Sequence, residues 1–396
     1  MKRHVRILGL LVLVGIIASA CVPITPAAPA PAAPTAAAQP TAPAQATLKG
    51  KRLCITSPVT LEILNIFYDD MRAAAQDSGL GLDITVVDAK GDFAKQLADV
   101  EQFIASGDCA AIATVTAVTP EASAAWAKAA QDAKDKGICL VNHSADWVTN
   151  ATQNLSNPHY PAGYIVGEEA GRWYMAHGAK GEVGTLNAPH SPGLQQRVQG
   201  FKDGFKSVVT QDVKIWEADA DNSGSAENGA AVAASMLQAH PDIKILFTWG
   251  GDSSLGVVQA ANEAGHKDPN EFFVGTVEAN DASIAAIGKG DTILQAAGWF
   301  PYRFSAPAME RAIEWCLLGE KVPPTGYVLP ILLKKGNTDE ILRAGNHQFL
   351  PENAKYFDQY MVYFDTPVKT GDPFPDQKTG HTWKGASTTP GTTTLH

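Results

Sequence analysis

Charge is scarce in this sequence. Only 18 % of its 396 residues are charged, and 31 basic side chains face 41 acidic ones, for a formal charge of −10. A chain this short of Lys and Arg cannot neutralise a phosphate backbone, so no nucleic acid is expected as a partner. Cysteine is scarce as well: five in a chain of this length do not make a disulfide scaffold. After the N-terminus no apolar run reaches the roughly 20 residues that span a bilayer. Local catalytic and metal signatures are missing. The ten His include no HExxH pair, and there is no CxxC, no GxxxxGK(S/T), no GxGxxG after a strand and no GxSxG. No metal and no cofactor are therefore expected.

What is present is globular. Hydrophobic residues make up 45 %, enough for a real core, and the length suits two or three domains. The start stands apart. Lys2, Arg3 and Arg6 precede an eleven-residue apolar run over 7–17, then Ala18-Ser19-Ala20-Cys21. Basic, apolar and small residues in that order mark 1–20 as a secretory signal peptide. Cys21 after small residues resembles the lipobox of bacterial lipoproteins, although Ala18 stands where that pattern more often has Leu. The resemblance implies cleavage before Cys21 and a lipid on its sulfur; an ordinary signal peptide or an uncleaved anchor is the alternative. Residues 22–48 hold 7 Pro and 11 Ala and no charge, so 21–49 reads as a lipidated cysteine followed by an extended spacer. At the other end, 337–370 reads as an aromatic extension packed on a lobe and 371–396 as a flexible tail.

Between 51 and 335, β-rich runs alternate with helical ones. Strands are expected over 52–57, 82–88, 111–116, 138–142, 182–187, 213–217, 243–249, 272–277 and 293–297. Leu64, Phe67, Met71 and Ala74, and again Phe93, Leu97, Val100 and Ile104, recur at helical spacing. Thr119-Pro120-Glu121 reads as a helix start. Such alternation gives parallel sheets with helices on both faces, here an α/β fold of two sheets of five or six strands. Ligands of open parallel sheets sit beyond the carboxyl ends of the strands. That rule selects Asn142, His143 and Trp147 after the fourth strand, Asp221 and Asn222 after the sixth, Trp249 and Asp252 after the seventh, and Glu278 after the eighth. Trp147, Trp249 and Trp299 offer flat apolar platforms beside amides and acids, which suits a sugar or another flat polar solute.

Several stretches resemble the substrate-binding proteins of bacterial ABC importers, in the ribose/galactose-type, type I periplasmic-binding family. They are 94–104 (AKQLADVEQFI), 196–205 (QRVQGFKDGF), 239–243 with 255–260, 273–276 (FVGT) and 319–324 (GEKVPP). The resemblance implies two doubly wound parallel-sheet lobes joined by three crossover strands, with ligand held in the cleft between them. Lobe one is expected at 51–145 plus 299–326 and lobe two at 146–298 plus 327–336, with crossovers near 145–149, 298–301 and 325–328. It implies no enzyme but a monomeric receptor that captures a small solute and hands it to ABC permease subunits. The receptor is extracytoplasmic, held at the membrane only through its lipid. A sensor of the same fold, presenting its solute to a signalling partner, is the alternative.

The family's contact positions carry over in part. The aspartate and arginine after strand four fall near Asn142, His143 and Ser144, so the sugar clamp of that family is absent. Its ligand-binding arginine falls near Gln195, and Arg197 matches a neighbouring arginine. The expected ligand contacts are thus Asn142, His143, Trp147, Gln195, Asp221, Asn222, Trp249, Asp252, Glu278 and Trp299. A sugar leads, and a nucleoside or small amine follows because acids cluster among them. The resemblance also makes strands one and three neighbours, which suggests a Cys54–Cys109 disulfide; Cys109–Cys139 pairing and four free thiols are the alternatives. His143, Ser144 and Asp146 are too close in sequence to converge as a catalytic triad. Ser253 and Ser254 sit where a helix cap is expected.

Overall fold

The most apolar stretches of the sequence lie in the middle of two sheets. The computed structural model describes residues 47–58, 62–116, 118, 121–143, 146–189, 191–220, 224–300, 302–338 and 361–367. In the first sheet β1 (Arg52–Ser57), buried from Leu53 onward, runs between β2 (Asp83–Asp88) and β3 (Ala111–Thr114). Beyond β3 follow β4 (Cys139–His143), β5 (Gln153–Ser156), β11 (Thr325–Val328) and β13 (Met361–Phe364). The second sheet repeats the order. β6 (Glu182–Asn187) lies between β7 (Ile215–Asp219) and β8 (Ile243–Thr248), followed by β9 (Phe273–Val277), β10 (Leu294–Trp299) and β12 (Ile331–Lys334). Neighbours are parallel except at one edge of each sheet, where β13 runs against β11 and β12 against β10. Strand order reverses between β1 and β3 and between β6 and β8, the two places where such sheets open a crevice.

Helices cover both faces of each sheet. α1 (Glu62–Asp77) and α9 (Tyr302–Leu317) pack on one face of the first, α2 (Phe93–Ser106) and α3 (Ser123–Asp135) on the other. α4 (His159–Ala176) and α5 (Pro192–Val208) share one face of the second. α6 (Ala226–Ala239), α7 (Gly251–Glu263) and α8 (Asp281–Lys289) cover its other face. Side chains set the starts: Asp92 accepts from the N–H groups of Ala94 and Lys95, and Ser191, Ser225 and Asn280 cap α5, α6 and α8 in the same way. α3 begins at Ser123, later than the expected start; Thr119 and Pro120 lie outside the described residues. On α2, Val100 and Ile104 are buried, but Phe93, in the first turn, is exposed.

Glycine decides how close α4 and α5 come. A Cβ at Gly163 or Gly167 would run into the backbone carbonyls of Arg197 or Phe201, and one at Gly200 or Gly204 into those of Tyr160 or Tyr164. The two helices therefore touch backbone to backbone, an approach that only residues without a Cβ permit. This closeness brings the first turn of α4 against the first half of α5.

The chain passes between the sheets at places that differ from two of the three expected crossovers. β5 pairs with β4 and β11 in the first sheet, so the first passage falls at Asn157-Pro158, after 145–149. β5 reads Gln-Asn-Leu-Ser, without alternation or β-branched residues, and its amides donate inside the protein, Gln153 to the Pro323 carbonyl and Asn154 to the Val148 carbonyl. β11 also belongs to the first sheet, which moves the third passage to Leu329-Pro330. The second follows Trp299, where β10 leads to α9. After β12 the chain returns to the first sheet as β13, which covers β11 and buries Tyr363 against Trp315. The expected signal peptide, Cys21 with its spacer, and the flexible tail lie outside the described residues.

Two disulfides staple the first sheet and its helices. Cys54 is bonded to Cys109, and Cys139 to Cys316, a pair the sequence reading did not draw, in place of Cys109–Cys139. They close 55 and 177 residues of chain. Loop-closure entropy assigns such cross-links about 4 and about 5 kcal/mol. Reduction is expected to lower the melting temperature by roughly 5–15 °C in scanning calorimetry; an unchanged transition would show that neither bond contributes.

α9 also carries a buried carboxyl pair. Glu310 is 2 % and Glu314 7 % exposed. Burial, and then the Glu314 carboxyl, push Glu310 well above the usual carboxylate range, and burial raises Glu314 as well. A raised carboxyl holds a proton in the folded state that the unfolded chain releases, so its contribution is full below about pH 4.5 and is lost as pH rises through the folded value. Glu310→Gln removes that loss. Its stability advantage over the wild type, from urea unfolding, is expected to widen as pH rises above about 5. A difference that stays constant with pH would contradict the buried proton.

Candidate functional site

An ionised side chain on an apolar stripe is the starting point. On α5, Arg197 precedes Phe201 and Phe205 at intervals of four, and those two are in the core. Arg197 is therefore carried inward, and it is 6 % exposed. All of its nitrogens are occupied. Nε donates to His159 Nδ1 (2.9 Å), Nη1 to the Trp249 carbonyl (2.7 Å) and Nη2 to Glu278 Oε1 (3.1 Å). The Phe300 ring lies 5.6 Å from the guanidinium carbon. These partners come from α4, the end of β8, the end of β9 and the end of β10, all on the carboxyl side of the second sheet. The close α4–α5 packing brings His159, first residue of α4, within reach.

Glu278 balances the cation. Its side chain is 14 % exposed, so the pair is nearly dry. Its backbone has φ 74°, the left-handed region that residues with a Cβ avoid, while its N–H donates to the Gly298 carbonyl at 3.0 Å. The ion pair and this bond hold the turn in place.

An imidazole completes the cluster, and its proton can be located. Since Arg197 donates to His159 Nδ1, the His159 proton must sit on Nε2. Burial first, then the Arg197 charge, then His143, hold His159 well below its ordinary value, so it is neutral. His143, at the end of β4 in the first sheet, is pushed down to about 4 by burial, against a hydrogen bond from its ring to its own backbone. Its Nε2 is buried without a protein partner. His159 Nε2, Trp249 Nε1 and Asn157 Oδ1 are likewise buried without a protein partner. Such atoms are rare in folded proteins, because each costs about 1–3 kcal/mol to leave unpaired. Of these residues, His159 and Trp249 bond Arg197 directly, through Nδ1 and the backbone carbonyl.

The residues expected from the sequence are spread over different settings. Trp249 and Glu278 bond Arg197, whereas His143 ends β4 of the first sheet with its ring on Phe67. Trp249 contributes its carbonyl, and its ring packs against Gly224. Asn142 is committed elsewhere. Its Oδ1 accepts from Thr114, and its Nδ2 donates to the Asp146 carbonyl and to Asn154 Oδ1, leaving no donor for a ligand. Gln195 is exposed and donates to the Pro189 carbonyl, two positions from the buried Arg197. Trp147 packs on Tyr327, with ring centres 5.8 Å apart. Trp299 is half-buried against the apolar cluster of the second sheet, and Asp252 is exposed in the first turn of α7, 3.5 Å from Asn280. Asp221 and Asn222 lie outside the described residues. His159 and Asn157 were missed, since the passage between sheets was expected ten residues earlier. The signal for Arg197 was legible: a lone cation at the spacing of buried phenylalanines.

Comparison with known proteins bears on this arrangement. The family model of the periplasmic binding protein domain matches residues 62–316. The ribose import binding protein of Bacillus subtilis is 28 % identical over 214 residues, 52 % of this chain and 63 % of the relative. The D-ribose/D-allose-binding protein of Pseudomonas aeruginosa is 30 % identical over 183 residues, 44 % of this chain and 53 % of the relative. Both matches thus span less than two thirds of the relative's length. Among solved structures, an ABC transporter periplasmic solute binding protein from Actinobacillus succinogenes with bound D-allose superposes with a TM-score of 0.63 at 19 % identity. That match covers 73 % of this chain and 99 % of that one, and it is a likeness of fold.

Removing Arg197 strands a buried carboxylate. Arg197→Met is expected to destabilise the protein by about 3–5 kcal/mol in denaturant unfolding, and adding Glu278→Gln is expected to restore part of the loss. Equal losses in the single and double variants would mean the pair is not coupled.

Proposed function

The chain belongs to the periplasmic binding protein domain family, and we propose that it captures a small, neutral, polyhydroxylated solute, a sugar, for delivery to an ABC importer. The observation that carries this reading is the buried Arg197–Glu278 pair, whose charges cancel, at the carboxyl end of the second sheet beside the unpartnered Nε2 of His159. A sugar presents hydroxyls that donate and accept at once, with no net charge. An amine would need an uncompensated acid, and Glu278 is already engaged by Arg197. The printed names of the relatives, ribose and ribose/allose binders, agree with this class.

Binding and release are the whole of the proposed activity; no bond is made or broken. The lobes close on the solute, and the permease reads the closed form, because only a receptor whose two states differ can report that it is loaded. The N-terminal pattern supports export, cleavage before Cys21 and lipid attachment there. The protein would then work as a monomer outside the cytoplasm, anchored by lipid alone.

Thermal unfolding with D-ribose, D-allose and myo-inositol tests the reading. A ligand at 100 times its dissociation constant adds about 2.7 kcal/mol, so a rise of several degrees is expected with at least one of them. Shifts confined to amines or nucleosides would overturn it.

A further inference from the structure

The sheet-facing stripe of α2 runs past the end of the sheet. Gln96, Val100 and Ile104 follow one another at intervals of four and are buried. Gln96 marks where the strands stop. Its Nε2 donates to the carbonyl of Thr56, next to last in β1, and to that of Val115, just past β3, each at 3.0 Å. Phe93 lies three residues before Gln96, on the same stripe and about 4.5 Å farther along the helix axis. Side chains of a helix lean toward its N-terminus, which carries the ring farther still. The ring thus stands beyond the strand ends, and it is 45 % exposed although its spacing marks it as core. Three large apolar side chains are exposed among the described residues, and Phe93 is the aromatic one.

A single exposed apolar side chain is ordinary; one that continues a core stripe over a ligand crevice is not. The two carbonyls that Gln96 holds belong to the strands between which the order of the first sheet reverses, where such sheets take their ligands. The residues that follow them, Ser57 and Thr116, carry hydroxyls and are buried, and Gln96 keeps its own Oε1 buried without a protein partner. A flat ring beside a few buried polar groups suits a sugar, whose ring turns C–H groups to an aromatic face while its hydroxyls reach polar atoms at the side. We propose that Phe93 is the aromatic contact of the first sheet to the bound solute, covering an apolar face of a polyhydroxylated ring at the β1/β3 crevice and selecting ligands that have such a face. The proposal rests on the sugar reading and adds to it a contact from the first sheet, which the residues bonded to Arg197 do not supply.

Phe93→Ala tests the contact in the full-length protein. Calorimetric titration with D-ribose, D-allose and myo-inositol is expected to show binding about 10- to 50-fold weaker in the variant for whichever of them the wild type binds, because the exposed part of the ring is what the ligand covers. Phe93→Trp keeps a flat ring, so its affinity is expected to stay within about threefold of the wild type. Its indole also reports directly: relative to the wild type, its emission should shift to the blue on saturation with the bound probe, as water leaves the ring. An affinity of Phe93→Ala within about twofold of the wild type, or an emission of Phe93→Trp that does not move on saturation, overturns the contact and leaves the sugar reading standing. If the wild type binds none of the three probes, the sugar reading falls and the contact with it.

Discussion

The guanidinium of Arg197 is the constraint on which the site depends. A buried cation is tolerated only when its charge is balanced and its donors are used. Meeting that condition draws in four separate pieces of chain: the first turn of α4, the end of β8, the turn after β9 and the ring after β10. Each is fixed in relation to the others because each answers the same planar group. The fork geometry of Arg matters here, since a lysine could not present donors in three set directions. The strained turn at Glu278 and the tautomer of His159 are consequences of the same demand.

That demand could not be met without the glycines between α4 and α5. Ordinary side chains hold helix axes about 8–10 Å apart. Backbone contact at Gly163 and Gly200 lets the start of one helix reach the inward face of the other. The fold and the site are thus linked by residues that have no side chain to contribute to either.

Much of the fold was legible because burial on both faces writes long apolar runs. β1, β6, β8 and β9 follow directly from their sequences, and the strands expected from periodicity occur with ends shifted by one or two residues. β5 was hidden because its polar side chains are paid for by tertiary hydrogen bonds, such as Gln153 to the Pro323 carbonyl, which no local pattern encodes. Missing β5 misplaced the passage between sheets, and with it Asn157 and His159. The rule about strand ends selected His143, Trp249 and Glu278, which lie at the carboxyl ends of β4, β8 and β9. It could not tell that Asn142 spends its amide on Thr114 and Asn154, because whether a polar group faces a ligand or a neighbouring strand depends on residues far away in sequence.

The cross-links carry a consequence for how the molecule is made. Every cysteine beyond Cys21 belongs to the first sheet or its helices, and the second sheet has none. On a chain emerging from its N-terminus, Cys54 meets its partner after 55 residues, whereas Cys139 must stay reduced for 177, while the whole of β6 to β10 appears. During that interval Cys109 is its nearest competitor. Early closure of Cys54–Cys109 removes that competitor and leaves Cys139 a single correct choice. The Cys139–Cys316 bond can form only after the second lobe has been delivered and α9 has come back to the first.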